Sequence, residues 1–147
     1  MATRRKQTVE TEPAKPQHGL KMRLEDMMTV QPKTDKQREF FDAYQQGHYF
    51  GALSGVAGTG KTYIAFYKAL EEVMDRTKPY AKLVIIRSSV QGREMGHLPG
   101  DADEKMSMFT EPYKQIAAEM FKRKDAWDRL VEQGYVEFLS TSFISGH

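Results

Sequence analysis

The sequence predicts an α/β fold, a parallel sheet flanked by helices. Short apolar runs at 49–54, 82–87 and 135–140 alternate with segments of helical composition. Strands separated by helices return through crossover connections and pair in parallel. The run Lys-Leu-Val-Ile-Ile-Arg at 82–87 is almost continuously apolar, the pattern of a parallel strand covered on both faces. A chain of 147 residues amounts to one domain or less.

The elements follow in order. Residues 1–30 read as a basic arm, and 31–147 as the folded part. Met1 to His18 is polar, with two prolines and no aromatic residue, a composition that resists folding. Residues 19–28 fit either a short helix or an adapting segment. Thr34 has the character of an N-cap, with Gln37 three residues on at capping-box spacing. The helix 35–46 then directs Phe40, Phe41 and Tyr44 toward a core, and Gly47 ends it. A first strand is expected at 49–54 and a helix at 61–75. Pro79 breaks the chain before the strand at 82–87. Residues 88–101, with three glycines and a proline, read as a loop. Phe109, Tyr113, Ile116 and Met120 step by four, three and four, which predicts a helix over 103–122. Pro112 should kink or split it. A short helix at 125–133, with Trp127 packing it to the body, and a third strand at 135–140 complete the chain.

Composition excludes several classes of function. With no cysteine there is neither a disulfide nor a thiolate zinc site. Arg4, Arg5 and Lys6 precede no apolar stretch, so no secretory signal is read, and no apolar run reaches membrane-spanning length. His18, His48, His97 and His147 lack ligand spacing, and Asp101, Asp103 and Glu104 lack the calcium-loop register. Nine methionines suit an adaptable core. The net charge of +2 says little, but its distribution is uneven: residues 1–38 hold nine Lys/Arg against five Asp/Glu, and the remainder thirteen against fifteen. The basic excess lies in the arm, which reads as a solubilising tail or an RNA contact.

The segment Gly55, Val56, Ala57, Gly58, Thr59, Gly60, Lys61, Thr62 fits Gly-x-x-x-x-Gly-Lys-[Ser/Thr] without a mismatch. The chemistry requires these residue types. Glycines let backbone N–H groups approach phosphate oxygens that side chains would block. The following helix presents its positive end to the same phosphates. Lys61, the candidate catalytic residue, reaches the outer phosphates, and the Thr62 hydroxyl ligates Mg2+. Tyr63 completes the candidate cofactor-binding set. The loop alone leaves ATP and GTP open.

Further segments, in order, resemble the PhoH-like family of P-loop NTPases, particularly its short phage-encoded members. They are Pro32-Lys33-Thr34 with Gln37, the loop at 55–62, and Val84-Ile85-Ile86-Arg87-Ser88. Then come Arg93-Glu94-Met95-Gly96-His97-Leu98-Pro99-Gly100, Glu104-Lys105, Glu111-Pro112-Tyr113, and Val136 through Gly146. The resemblance implies the RecA-like, superfamily 1 helicase-like sheet. It implies ATP as nucleotide, with Gln37 reading the adenine edge, although Gln37 also serves as a plain capping residue. It implies single-stranded RNA or DNA as partner, with Arg87, Ser88 and Ser89 as tentative contacts; a charged strand end in solvent explains Arg87 equally well. A cytoplasmic setting (the host cytoplasm for a phage protein) and a homo-oligomer of the complete protein also follow. At 145, an Arg common before the glycine is Ser.

Hydrolysis needs a second acidic residue on Mg2+ and a group that places the water. No apolar strand after Lys61 ends in Asp-Glu. The chain is therefore expected to be a P-loop NTPase fragment truncated before that strand, marginally stable and hydrolytically inactive alone. A non-catalytic nucleotide- or RNA-binding protein is the alternative reading, and a small-molecule P-loop kinase a weaker one.

Overall fold

A computed structural model describes residues 21–48, 50–58, 60–88 and 102–141, with side chains from 106 onward in the last stretch. The elements run as a 3-10 turn at Leu24–Asp26, helix α1 at Asp35–Gln45, α2 at Lys61–Met74, strand β1 at Leu83–Arg87, α3 at Ala102–Phe121, α4 at Ala126–Glu132 and β2 at Val136–Ser140. The two strands pair in parallel, Leu83 opposite Val136 through Arg87 opposite Ser140. The fold is α/β, a two-stranded parallel sheet with helices packed against it.

Most of the helix ends form for local reasons. The Thr34 hydroxyl accepts from the Gln37 N–H at 3.1 Å, capping α1. At the far end of α3, Lys122 takes the left-handed conformation (φ 52°) usually left to glycine. The Arg123 N–H then reaches the Ala118 carbonyl at 3.2 Å, closing a Schellman turn. Gly134 does the same after α4, with the Tyr135 N–H on the Leu130 carbonyl at 2.9 Å.

The core gathers around α2. Its buried face, Phe66, Tyr67, Leu70, Val73 and Met74, meets Tyr113, Ala117, Met120 and Phe121 of α3, with Ala126, Trp127 and Leu130 of α4 and Val136 of β2. Phe66, Tyr113 and Trp127 form a ring triangle with centroids 5.8, 6.3 and 6.0 Å apart, and Phe138 of β2 stacks on at 5.9 Å from Tyr113. These tilted contacts suit aromatic quadrupoles.

Three expectations differ from the structure. First, the strand at 49–54 is not formed: residues 50–54 join no ladder, and Phe50 is 90% exposed. A strand exists only where its N–H and C=O groups find a partner, and among the described residues only β1 and β2 pair. Second, β1 is covered on one face alone. Leu83 and Ile85 pack against the core, whereas Val84 and Ile86 are 42% and 58% exposed. Third, of the kink or split expected at Pro112 the split does not occur, and α3 continues through it as one helix. The proline lies on the exposed side, where water can take the Met108 carbonyl that its missing N–H leaves unpaired. The segment before α1 also meets the core. Met22 and Met27 are buried in the core, and the Met28 N–H bonds the Met120 carbonyl at 2.8 Å. Residues 1–20, with the arm's basic cluster, lie outside the described residues, as do Tyr49 and the segment 89–101.

Asp125 clasps the α3–α4 corner. Arg123 holds both its oxygens (2.7 and 3.0 Å), and Arg129 Nε adds a third bond at 2.8 Å. These guanidinium bonds push the Asp125 carboxyl well below the usual carboxylate range.

Leu130 is wholly buried. Leu130→Ala should cost about 2–5 kcal/mol in urea unfolding through the cavity it leaves; a loss under about 1 kcal/mol would mean that the corner collapses to fill the space. Because the folded Asp125 pKa is depressed, its stabilising effect is present above the ordinary carboxylate pKa and is lost as pH falls through the folded value. The melting-temperature gap between the wild type and Asp125→Asn should therefore be widest above about pH 4 and narrow toward pH 2. A gap that stays constant over that window would show that the clasp is not ionic.

Candidate nucleotide site

The loop between residue 54 and α2 is shaped by two glycines. Gly58 and Gly60 both have φ of 82°, a left-handed bend that L side chains resist. Gly60 is also the N-cap of α2. It supplies no side-chain acceptor to the first helical turn, and that turn holds no acidic residue. The positive end of a 14-residue helix therefore faces the loop without a neutralising group of its own. Residues 51–58 are exposed.

Lys61 holds the loop together. Its ammonium donates to the Gly55 carbonyl at 2.6 Å and to the Val56 carbonyl at 2.9 Å, spanning the loop mouth from the first helical position. Thr62 follows it, exposed at the start of α2. Tyr63 turns the other way and packs against the core, its phenol pushed up by burial and by Glu119. Thr59 lies outside the described residues.

Gln37 is brought to this loop from α1. Its side-chain oxygen accepts from the Lys33 N–H at 2.7 Å, which turns the amide back over the helix start. The amide nitrogen then lies 3.4 Å from where a Cβ on Gly60 would stand. The two segments are 23 positions apart in sequence and adjacent in space, so the structure joins Gln37 to the 55–62 loop as one constellation.

Arg87 stands elsewhere, at the carboxyl end of β1. It is exposed, and its guanidinium lies 5.7 Å from the centre of the Phe109 ring on α3. Ser88 is exposed beside it, and Ser89 lies outside the described residues. In the sequence Phe109 served only as one of the apolar steps that predict the helix over 103–122; its distance from Arg87 in the chain hid the contact. The segment Arg93 to Gly100, Asp101 and the stretch 142–147 with Ser145 also lie outside. Asp103, Glu104 and Lys105 fall in the first turn of α3, where side chains are not described.

The acids are placed in a way that bears on metal chemistry. Among the described residues no group of three or more His, Asp or Glu side chains is arranged to hold a metal ion. The strands end at Arg87 and Ser140, so neither presents an acid at its carboxyl end. Glu137 lies within β2 and pairs with Lys82 at 2.7 Å. No helix among the described residues is long and apolar enough to cross a membrane.

A sequence profile of PhoH-like proteins matches residues 29–147. The chain belongs to the PhoH-like family. Relatives agree with that membership. A PhoH-like protein of Mycobacterium leprae is 31% identical over 119 residues, covering 80% of this chain and 33% of the relative. One from Bacillus subtilis is 30% identical over 119 residues, 80% of this chain and 36% of the relative. The Protein PhoH2 of Mycolicibacterium smegmatis is 32% identical over 100 residues, 65% of this chain and 22% of the relative. The chain thus spans about a third of the length of the curated PhoH-like relatives that it matches over 80% of its own length. No solved structure matches it significantly. The PhoH-like match begins at residue 29 and takes in both Gln37 and the glycine loop, the two parts that the fold brings together.

Proposed function

We propose that this chain binds ATP with Mg2+ through the loop at 55–62. In the complete protein it would form part of an ATPase coupled to single-stranded RNA or DNA. One observation supports this most: an ammonium at the first position of α2 bridges the loop's own carbonyls, beside a helix end that carries no counter-charge.

The residues suit a polyphosphate. Lys61 exchanges two carbonyl oxygens for phosphate oxygens, which are anionic and bind an ammonium more strongly. The left-handed glycines let backbone N–H groups face the same oxygens. Thr62 offers a hydroxyl where Mg2+ is held in such loops. When bound, Mg2+ would neutralise phosphate charge, with water and phosphate filling its remaining positions. Gln37 selects the base. Its oxygen already accepts from Lys33, but an amide oxygen has two lone pairs and can accept a second bond from an adenine amino group. The amide nitrogen donates to the adjacent ring nitrogen. Hydrolysis needs an acid and a water-positioning group; those belong to the proposal for the complete protein. Among the described residues neither strand ends in an acid, which fits binding without turnover by residues 1–147. The stacked Arg87 supports a phosphate contact, since a guanidinium held over a ring is oriented before it meets a strand. A homo-oligomer and a cytoplasmic setting, that of the host for a phage protein, belong to the same proposal.

Lys61→Ala should weaken Mg-ATP binding by roughly 10- to 100-fold in calorimetric titration, the loss expected of a charged hydrogen-bonding partner; unchanged affinity would sink the nucleotide reading. Arg87→Ala should weaken single-stranded RNA binding and lower the salt slope by about one counterion. Equal slopes in the two proteins would remove Arg87 from the interface.

A further inference from the structure

Helix α1 carries Gln37, yet it has no fully buried residue of its own. Apolar burial alone therefore fixes it weakly, and its position depends on specific contacts with α2. Three of them follow one another. At the amino-terminal ends, the Gln37 amide lies beside Gly60. One turn further, the Phe41 ring stacks on Tyr67 with centroids 6.2 Å apart and planes at 25°, and Lys68 Nζ lies 4.8 Å from the Phe41 centroid. Two turns from Gln37, the Tyr44 hydroxyl donates to the Glu72 carboxylate.

Residues 37, 41 and 44 share one face of α1 by helical spacing. Their partners at 60, 67–68 and 72 rise in the same order along α2. The two helices therefore run side by side in one direction, and their shared lower end is the phosphate loop. The Tyr44–Glu72 bond is partly buried and charge-assisted, the stronger kind of hydrogen bond. Desolvation, then the Glu72 carboxylate, push the Tyr44 phenol well above its ordinary value, so it remains a donor.

The geometry points to Tyr44 as a positioning residue: its bond to Glu72, together with the Phe41 stack, sets the rotation and rise of α1 against α2 and so holds the Gln37 amide at the rim of the phosphate loop. Tyr44 touches no ligand. It governs which base the site accepts by fixing the distance between the base reader and the phosphate holder. This rests on the reading of Gln37 and the 55–62 loop given above.

The test separates base from phosphate. Mg-ATP, Mg-GTP and Mg-tripolyphosphate are titrated against the 147-residue chain, Tyr44→Phe and Glu72→Ala. Both variants should lose roughly three- to tenfold in ATP affinity, the worth of one hydrogen bond, with tripolyphosphate held within about twofold. The preference for ATP over GTP should narrow in step. The double variant should lose no more than either single one, since they share one interaction. If ATP and tripolyphosphate weaken together, or if neither moves, the positioning role is overturned. Should Tyr44→Phe fail to fold, Glu72→Ala, which removes the acceptor and leaves Tyr44 in place, carries the comparison alone. A wild-type chain that binds neither ligand overturns the nucleotide reading itself. One that binds both, and whose variants keep wild-type selectivity, overturns only the clasp.

Discussion

Helix α2 is bound by two demands that meet in fourteen residues. Its apolar face must be buried, because Phe66, Tyr67, Leu70, Val73 and Met74 are what α3 and α4 pack on. Its first turn must also stay open to solvent, because Lys61 and Thr62 begin it. The chain enters that first turn through Gly60, which is in the left-handed conformation. The core holds the helix in place, and the helix holds the loop.

Much of this was legible in the sequence where the determinants are local. The Thr34 cap with Gln37, the glycine spacing and the apolar steps of 109, 113, 116 and 120 all act within a few residues, and the structure forms each element they specify. What was not legible depends on partners far along the chain. The segment at 50–54 has the composition of a strand, but composition does not supply a ladder neighbour. The run at 82–87 is apolar on both faces, but only the packing shows that Val84 and Ile86 are left open. Pro112 fails to break its helix because it faces water, and a helix's facing is settled by what it packs on.

The site divides in the same way. Its glycine and lysine pattern is contiguous and could be read directly. Gln37 needed either a resemblance or a structure to join it to that pattern, because the fold, not the chain, puts the amide beside Gly60. The Tyr44–Glu72 bond spans 28 positions and carries no motif, so only coordinates could reveal it.

The bonds from Lys61 to Gly55 and Val56 also fix the reference state for any ligand. An anion arriving at the Lys61 ammonium would compete with two carbonyls that already hold it. Net affinity is then a difference between two bonded arrangements, smaller than the strength of either. The same tether braces the loop from within, so removing the ammonium changes the shape of the receptor as well as its charge. Loop order in the ligand-free protein becomes a property that Lys61 controls.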